Sequence, residues 1–110
     1  MKTLIAFVLC FLASFSASAV TETNKTILSI GVQDTASGGS PLAYVSLSPP
    51  PALTCLYGIA YIKDLSTAGG TALYAMLQRA YSLSKPLSRI DYDRDGNTGT
   101  CIISLIEVGK

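Results

Sequence analysis

Hydrophobic and polar residues alternate in several separate stretches of the chain, and this period of two is typical of half-buried β-strands. In the first such stretch Leu28, Ile30 and Val32 share one face, and the residues between them share the other. In the fourth stretch Ile90 and Tyr92 are expected to face inward. The predicted strands cover 27–33, 42–47, a part of 53–65, 88–93 and 101–108.

Between the third and fourth strands the period changes to that of an α-helix. Apolar residues recur at helical spacing, which predicts a helix over 70–83. Ser66 and Thr67 are candidate N-caps, and Pro86 is expected to end the helix because the residue before a proline disfavours helical conformation. The buried stripe of this helix is predicted to consist of Leu73, Met76, Leu77, Ala80 and Leu83.

The remaining segments are predicted to connect these elements. Gly and Ser residues indicate a loop over 34–40, and Pro49–Pro51 forms a stiff connector that ends the second strand. Asp95-Gly96 is a strong signal for a tight hairpin turn. The segment 20–25 is polar and without clear periodicity, so it is predicted to be a frayed lead-in.

The third strand is predicted to carry Tyr57, Ile59 and Tyr61 on one face.

Three strands, one helix and two further strands define the fold class as mostly β with one α-helix. This β-β-β-α-β-β order predicts a five-stranded OB-like barrel, in which the helix closes one end. An α+β sheet with the helix packed on one face has the same element count and stays open as an alternative.

The first nineteen residues have the pattern of a signal peptide. Lys2 supplies the positive start, residues 4–15 are almost wholly apolar, and Ala17-Ser18-Ala19 places small residues at the cleavage site. The apolar run is shorter than the ~20 residues of a membrane-spanning helix. We therefore expect 1–19 to be removed, leaving 20–110 as a single domain that is secreted or periplasmic, without membrane insertion.

Composition then excludes several function classes. The chain has eight Lys/Arg and seven Asp/Glu, and removal of Lys2 leaves seven of each, so no general attraction to nucleic acid is expected. The sequence contains no His, the commonest general base and metal ligand. We therefore expect no enzymatic activity, no catalytic residues, no cofactor and no metal site.

Two cysteines are expected to form a disulfide. Cys10 lies in the predicted leader and leaves with it, so Cys55 and Cys101 remain in an oxidising compartment. They would close a loop of 46 residues (positions 55 to 101), which stabilises a small domain by roughly 4 kcal/mol in the chain-entropy model. No further Cys or His follows the leader to complete a metal site.

The acidic run from Asp91 to Gly96 allows a second interpretation. Asp91, Asp93, Asp95 and Gly96 match the opening of an EF-hand calcium loop. The twelfth position of that loop is Ile102 instead of the bidentate Glu, and strands instead of helices are predicted on both sides. The hairpin interpretation is therefore favoured over calcium binding.

Four segments carry a resemblance to a known family. They are the Cys-led strand TCLYGIAYI, a helix ending in Ala80-Tyr81-Ser82, the strand PLSRIDY and the final Cys-led strand CIISLIEV. The run 54–108 thereby resembles the OB-fold B subunits of bacterial AB5-type toxins, in particular the subtilase-cytotoxin B-subunit-like group. The resemblance implies a homopentamer that binds host-cell glycans and a separate toxin A subunit. It assigns no ligand-binding residue to this chain.

Two hypotheses of function follow. The first is a secreted, non-enzymatic binding domain that resembles a toxin B subunit and recognises cell-surface glycans as a pentamer. The alternative is a monomeric periplasmic or secreted domain that binds or inhibits another protein through strand edges or the Pro49–Pro51 segment.

Overall fold

A computed structural model describes residues 19–34 and 39–109. The predicted leader lies outside the described residues except for Ala19, and so does the middle of the predicted loop 34–40. The described residues form five strands and one α-helix, with a short 3₁₀ turn at Leu56–Gly58, which confirms a mostly β fold with one helix. The elements are β1 Ala19–Gln33, β2 Leu42–Ser48, β3 Ala60–Ile62, α1 Ala68–Ser82, β4 Leu87–Arg94 and β5 Cys101–Glu107.

The five strands close into a ring in the order β1-β2-β3-β5-β4. β1 pairs with β2 along its second half and with β4 along its first half, and this double pairing closes the barrel. The pairing of β3 with β5 is parallel, and the other four pairings are antiparallel. Because β1 pairs with both β2 and β4, the ring closes at this strand.

The core lies inside this ring. Alternate residues of each strand point inward, as the period of two predicts, and α1 packs against the ring with Leu77 and Ala80 buried. Met76 and Leu83 are exposed, so the predicted helical stripe is wrong at these two positions, because the helix contacts the barrel along a narrower face. The buried strand residues include Ala43, Val45, Leu47, Ala60, Ile62, Leu87, Ile90, Tyr92, Cys101, Ile103 and Ile106.

The ends of α1 differ by a few residues from the prediction. Thr67 is the N-cap, and its hydroxyl accepts a hydrogen bond from the Gly70 N–H at 2.9 Å. A side chain at Gly70 would collide with the Asp64 carbonyl oxygen, because a Cβ there would lie 1.8 Å from it. The helix ends at Ser82, before Pro86 can act, in a Schellman motif in which the Lys85 N–H donates to the Ala80 carbonyl.

The prediction of a frayed segment at 20–25 is wrong. This segment is the first half of β1, and it pairs with β4 from Ala19↔Asp93 to Lys25↔Leu87. Asn24 has a φ of 57°, and the partner of β1 changes from β4 to β2 between Lys25 and Thr26. The sequence of this segment looks like a polar tail, because the residues that face inward at the bend, Glu22 and Lys25, are charged.

The predicted face of Leu28, Ile30 and Val32 is also interrupted. The β1–β2 register shifts between Ile27 and Ser29, so Leu28 occupies a β-bulge and its side chain is 58% exposed. Ile27 faces the core in its place, and Ile30 packs against the core on the other side of the bulge. The extra residue moves Leu28 out of the alternation that the sequence shows.

The connection before β3 and the connection between β4 and β5 are longer than the sequence predicts. Tyr57 lies in the 3₁₀ turn before β3 and not in the strand itself, so only Ala60–Ile62 pair. Asp95-Gly96 does not form a two-residue hairpin. Six residues, 95–100, connect β4 to β5, and Gly99, with a φ of 76°, accommodates the turn.

A buried ion pair at the bend of β1 holds the ring to the segment after β2. Lys25 is 5% exposed, and its ammonium lies 2.6 Å from Glu22 Oε1, 2.9 Å from the Pro49 carbonyl oxygen and 3.1 Å from that of Pro50. All three ammonium protons therefore have an acceptor, which is the condition for burying a charge at acceptable cost.

The Glu22 carboxylate extends this network to β4. Its Oε2 accepts hydrogen bonds from the Tyr92 hydroxyl and, at 2.9 Å, from the Ala52 N–H. Burial alone would raise the pKa of Glu22. The hydrogen bonds that the carboxylate accepts outweigh this effect, those from Lys25 and Tyr92 most strongly, so the pKa lies below its usual value. The pKa of Tyr92 is raised to about 12, mainly by burial and next by the hydrogen bond to Glu22.

The network predicts how stability depends on acid. The pKa of Glu22 is lower in the folded chain than in the unfolded chain. The Glu22 carboxylate therefore contributes to stability in full above the usual pKa of 4.5, and this contribution is lost as the pH falls through the folded value. Glu22→Gln should lower the free energy of unfolding by about 3–5 kcal/mol at pH 7, because Lys25 loses a buried partner. The difference from the wild type should shrink toward pH 3 in urea titrations.

The control is Asp93→Asn, which removes an exposed carboxylate from the same region of β4. It should leave the free energy of unfolding within about 0.5 kcal/mol of the wild type at pH 7. A constant difference between Glu22→Gln and the wild type from pH 7 to pH 3 would contradict the assignment.

Candidate functional site

A groove of about 360 Å³ lies on the outer surface at one end of the ring. Its walls come from the end of β1, the start of β2, the end of β3, the start of β5 and the 95–100 connection. Because these segments are far apart in sequence, only the closed ring brings them together. The lining residues are Gln33, Leu42, Tyr61, Lys63, Asp95, Thr98, Thr100 and Ile102.

The floor of the groove belongs to a row of side chains around the outside of the ring. Strand register places Gly31 beside Tyr44, Tyr44 beside Tyr61, and Tyr61 beside Ile102. The rings of Tyr44 and Tyr61 are tilted by 59°, with centroids 6.4 Å apart. A Cβ at Gly31 would lie 2.3 Å from Cζ of Tyr44, so a side chain at this position would displace the Tyr44 ring.

Tyr61 is a largely buried part of this floor. Its side chain faces outward, away from the core, but the walls of the groove cover most of it. Burial raises the pKa of the Tyr61 hydroxyl, and the neighbouring Tyr57 and Tyr44 raise it further. The hydroxyl therefore stays protonated at neutral pH, and it is chemically suited to donate and accept hydrogen bonds.

The rim of the groove carries polar groups of several kinds. Gln33 has an amide, Lys63 an ammonium and Thr98 and Thr100 have hydroxyls, which lie 2.8 Å apart. Asp95 contributes a carboxylate whose Oδ1 accepts the Asn97 N–H at 2.8 Å and so shapes the 95–100 connection. The rim offers both donors and acceptors, with one cationic and one anionic side chain.

The predicted disulfide between Cys55 and Cys101 is present, with a Cα–Cα distance of 5.4 Å. It joins the segment before the 3₁₀ turn to the first residue of β5. The Leu56 N–H donates to the Gly99 carbonyl at 2.8 Å, and Arg94 Nε donates to the Thr54 carbonyl at 2.7 Å. The bond thus holds the 54–58 segment against the connection that forms one wall of the groove.

Two of the three acidic residues of the calcium interpretation, Asp91 and Asp95, have separate partners. Asp91 forms a two-bond pair with Arg89, at 3.0 and 2.9 Å, and this hydrogen bonding lowers the pKa of Asp91. Asp95 is engaged by backbone N–H groups within its own turn. Within 19–34 and 39–109, no group of three or more His, Cys, Asp or Glu side chains is placed to hold a metal ion.

A second cavity, of about 230 Å³, lies beside the end of α1. It is lined mainly by apolar groups, among them Met76, Leu83 and Val108. It offers fewer hydrogen-bonding groups than the groove, so the groove is the better candidate for recognising a polar ligand.

The groove is not evident from the sequence alone. The alternation in β2 and β3 does place Tyr44 and Tyr61 on the outer face of the sheet, and this part of the groove could have been predicted from the sequence. The approach of Gln33 and Lys63 to Thr98 and Thr100 depends on strand register and on ring closure, which local periodicity does not contain.

The disulfide predicts a large stability effect. The double substitution Cys55→Ser/Cys101→Ser should lower the free energy of unfolding by about 2–5 kcal/mol, because the unfolded chain gains the freedom of a 46-residue loop. Guanidinium titrations of the oxidised, reduced and substituted chains measure this effect, and the reduced and substituted chains should agree. Equal midpoints for the oxidised and reduced chains would contradict it.

Within the described part of the chain, no helix has the length and apolar character needed to cross a membrane. A comparison with protein-family models and with curated proteins finds no match to this chain. Functional inference therefore depends on the geometry and chemistry of the groove.

Proposed function

We propose that the chain is a secreted, non-enzymatic binding domain and that the groove at the end of the ring binds a glycan. The observation that carries this proposal is the groove itself, in which mixed hydrogen-bonding groups surround a tyrosine floor. Ligand sites in proteins commonly combine such a concave apolar surface with a few polar groups that fix orientation.

Carbohydrate chemistry fits this groove better than other ligand classes. Sugar hydroxyls both donate and accept hydrogen bonds, and the rim residues Gln33, Lys63 and Thr100 supply both kinds of partner. Charges of both signs on the rim give no strong attraction for a polyanion such as nucleic acid. A volume of about 360 Å³ lies at the lower end of the usual range for ligand pockets and suits a short saccharide segment.

The barrel is proposed to be OB-like. The ring order β1-β2-β3-β5-β4, the helix between β3 and β4 and the sharing of β1 between two neighbours support this assignment. They are also in keeping with the resemblance of 54–108 to toxin B subunits. The signal-peptide pattern of 1–19 and the Cys55–Cys101 disulfide support a secreted or periplasmic location.

Assembly into a homopentamer, with a toxin A subunit as further partner, belongs to the same proposal. Leu28 and Val32 on β1 and Leu83 after α1 are more than half exposed, which supplies apolar surface for contacts between subunits. In the ring, each described strand has a neighbour on both sides. β3 pairs with β5 only at Ala60↔Cys101 and Tyr61↔Ile102, so strand edges are partly uncovered and a monomeric inhibitor that binds through them stays the alternative.

A glycan array tests the binding site. The purified chain should bind a subset of printed oligosaccharides, and Lys63→Met and Thr100→Val should each weaken binding about tenfold or more, because each removes a hydrogen-bonding group from the rim. Lys85→Met is the matched control, since Lys85 lies at the far end of α1 and should leave binding unchanged. Absence of glycan binding, or equal binding by the groove variants, would refute the proposal.

Light scattering after size-exclusion chromatography tests assembly. The purified chain should elute with a mass near five times that of the monomer, because the resemblance implies a ring of five. Leu28→Asp should reduce this mass by placing a charge on the proposed contact surface. A strictly monomeric wild-type chain would rule out the pentamer and favour the monomeric alternative.

A further inference from the structure

We propose that Tyr57 is a stacking platform for one sugar residue of a glycan whose remaining part occupies the groove. This inference rests on the proposed function and deepens it, because it names a residue outside the groove lining and the chemical group that it recognises. That group is the apolar C–H face of a pyranose ring.

Tyr57 is the most exposed aromatic residue in the described part of the chain. All three Phe residues lie within positions 1–15, and the chain has no Trp, so the described residues depend on Tyr for every aromatic contact. Tyr92 and Tyr61 are buried, and Tyr44 and Tyr74 are half-buried. Tyr57 is 80% exposed, which makes its ring the most available aromatic surface in the described chain.

The backbone at Tyr57 is strained. Tyr57 has a φ of 59°, a left-handed conformation that costs free energy for a residue with a large side chain. Burial of the ring does not offset this cost, because so little of it is covered. Gly58 has a φ of 68°, which a glycine adopts without strain, so the cost of the turn is concentrated at Tyr57. Strained positions of this kind are concentrated at ligand sites.

The turn that carries Tyr57 is attached to the groove. The Gly58 N–H donates to the Cys55 carbonyl at 2.9 Å, and the Leu56 N–H donates to the Gly99 carbonyl at 2.8 Å. Gly99 lies between Thr98 and Thr100, whose side chains line the groove. The Cys55–Cys101 disulfide fixes the same turn at the residue before Leu56. The turn that carries Tyr57 is therefore attached to the wall of the groove by one hydrogen bond and one covalent bond.

These observations together define a ligand surface. A tyrosine ring offers a large flat contact area at a low entropic cost, because it has only two side-chain torsions. The pyranose face is apolar while its edges are polar, so a saccharide that is hydrogen-bonded at the groove rim can place its next residue on this ring. Fixing the turn in advance further lowers the entropic cost of binding.

The test uses the wild-type protein and the oligosaccharide that gives the strongest signal on the glycan array, in calorimetric titrations. Tyr57→Ala should weaken binding about tenfold, and Tyr57→Phe should keep binding within about twofold, because the ring and not the hydroxyl makes the contact. Tyr81→Ala is the matched control, since Tyr81 is 46% exposed on α1 and lies away from the groove.

Two further variants separate binding from folding. Tyr57→Gly should weaken binding as much as Tyr57→Ala while raising Tm by about 2–5 °C, because glycine adopts the positive φ without strain. Tyr57→Trp should keep binding and introduce the only indole of the chain. Its fluorescence should then change when the same oligosaccharide is titrated.

The outcomes distinguish this inference from the proposed function. Loss of binding in Lys63→Met together with wild-type affinity in Tyr57→Ala would overturn the platform and leave the groove proposal standing. A change in oligomeric mass for Tyr57→Ala without a change in affinity would make Tyr57 a subunit contact and would also overturn it. Absence of oligosaccharide binding by the wild-type protein would refute both.

Discussion

The closure of the ring depends on one buried cation at the bend of β1. Before this bend the strand pairs with β4, and after it the strand pairs with β2, so Lys25 stands where the two halves of the barrel meet. Its ammonium binds a carboxylate three residues earlier and two carbonyl oxygens of the proline segment. An apolar side chain at this position would leave Glu22 without its cationic partner and the two carbonyls without their donor. The ion pair therefore fixes the position of the bend as well as contributing to stability.

The groove is a consequence of that closure, because its lining comes from both sides of the ring. Gln33 and Leu42 belong to the β1–β2 pair, while Thr98 and Thr100 precede β5, and the row from Gly31 through Tyr44 to Tyr61 connects them. The disulfide then attaches the strained turn of Tyr57 to the same wall. Rigid strands thus carry the tyrosine floor, and a cross-linked turn carries the exposed ring. For the binding function that we propose, this arrangement would preorganise the contact surface.

Local periodicity predicted the elements whose environment follows from their own residues. β2, β4, β5 and α1 lie close to their predicted positions, because each has apolar residues on the side that faces the core. The first half of β1 was missed, because a buried Lys with three acceptors has the same sequence signal as a solvated one. Tyr57 continued the alternation of a strand, but the positive φ of its turn is not encoded in that alternation. The groove could not be predicted, because it depends on register between segments that are distant in the chain.

The double pairing of β1 also constrains the order in which the chain can fold. Glu22 and Tyr92, which are joined by a hydrogen bond, are 70 positions apart, so the first half of β1 needs a partner that is synthesised much later. Contacts of such long sequence separation are formed at a high cost in chain entropy and are associated with slow folding. During synthesis, β1 can pair with β2 early, but its first half has no partner until β4 has emerged. The nascent chain therefore passes through an open sheet with an unpaired strand segment, a state in which association with other chains competes with folding.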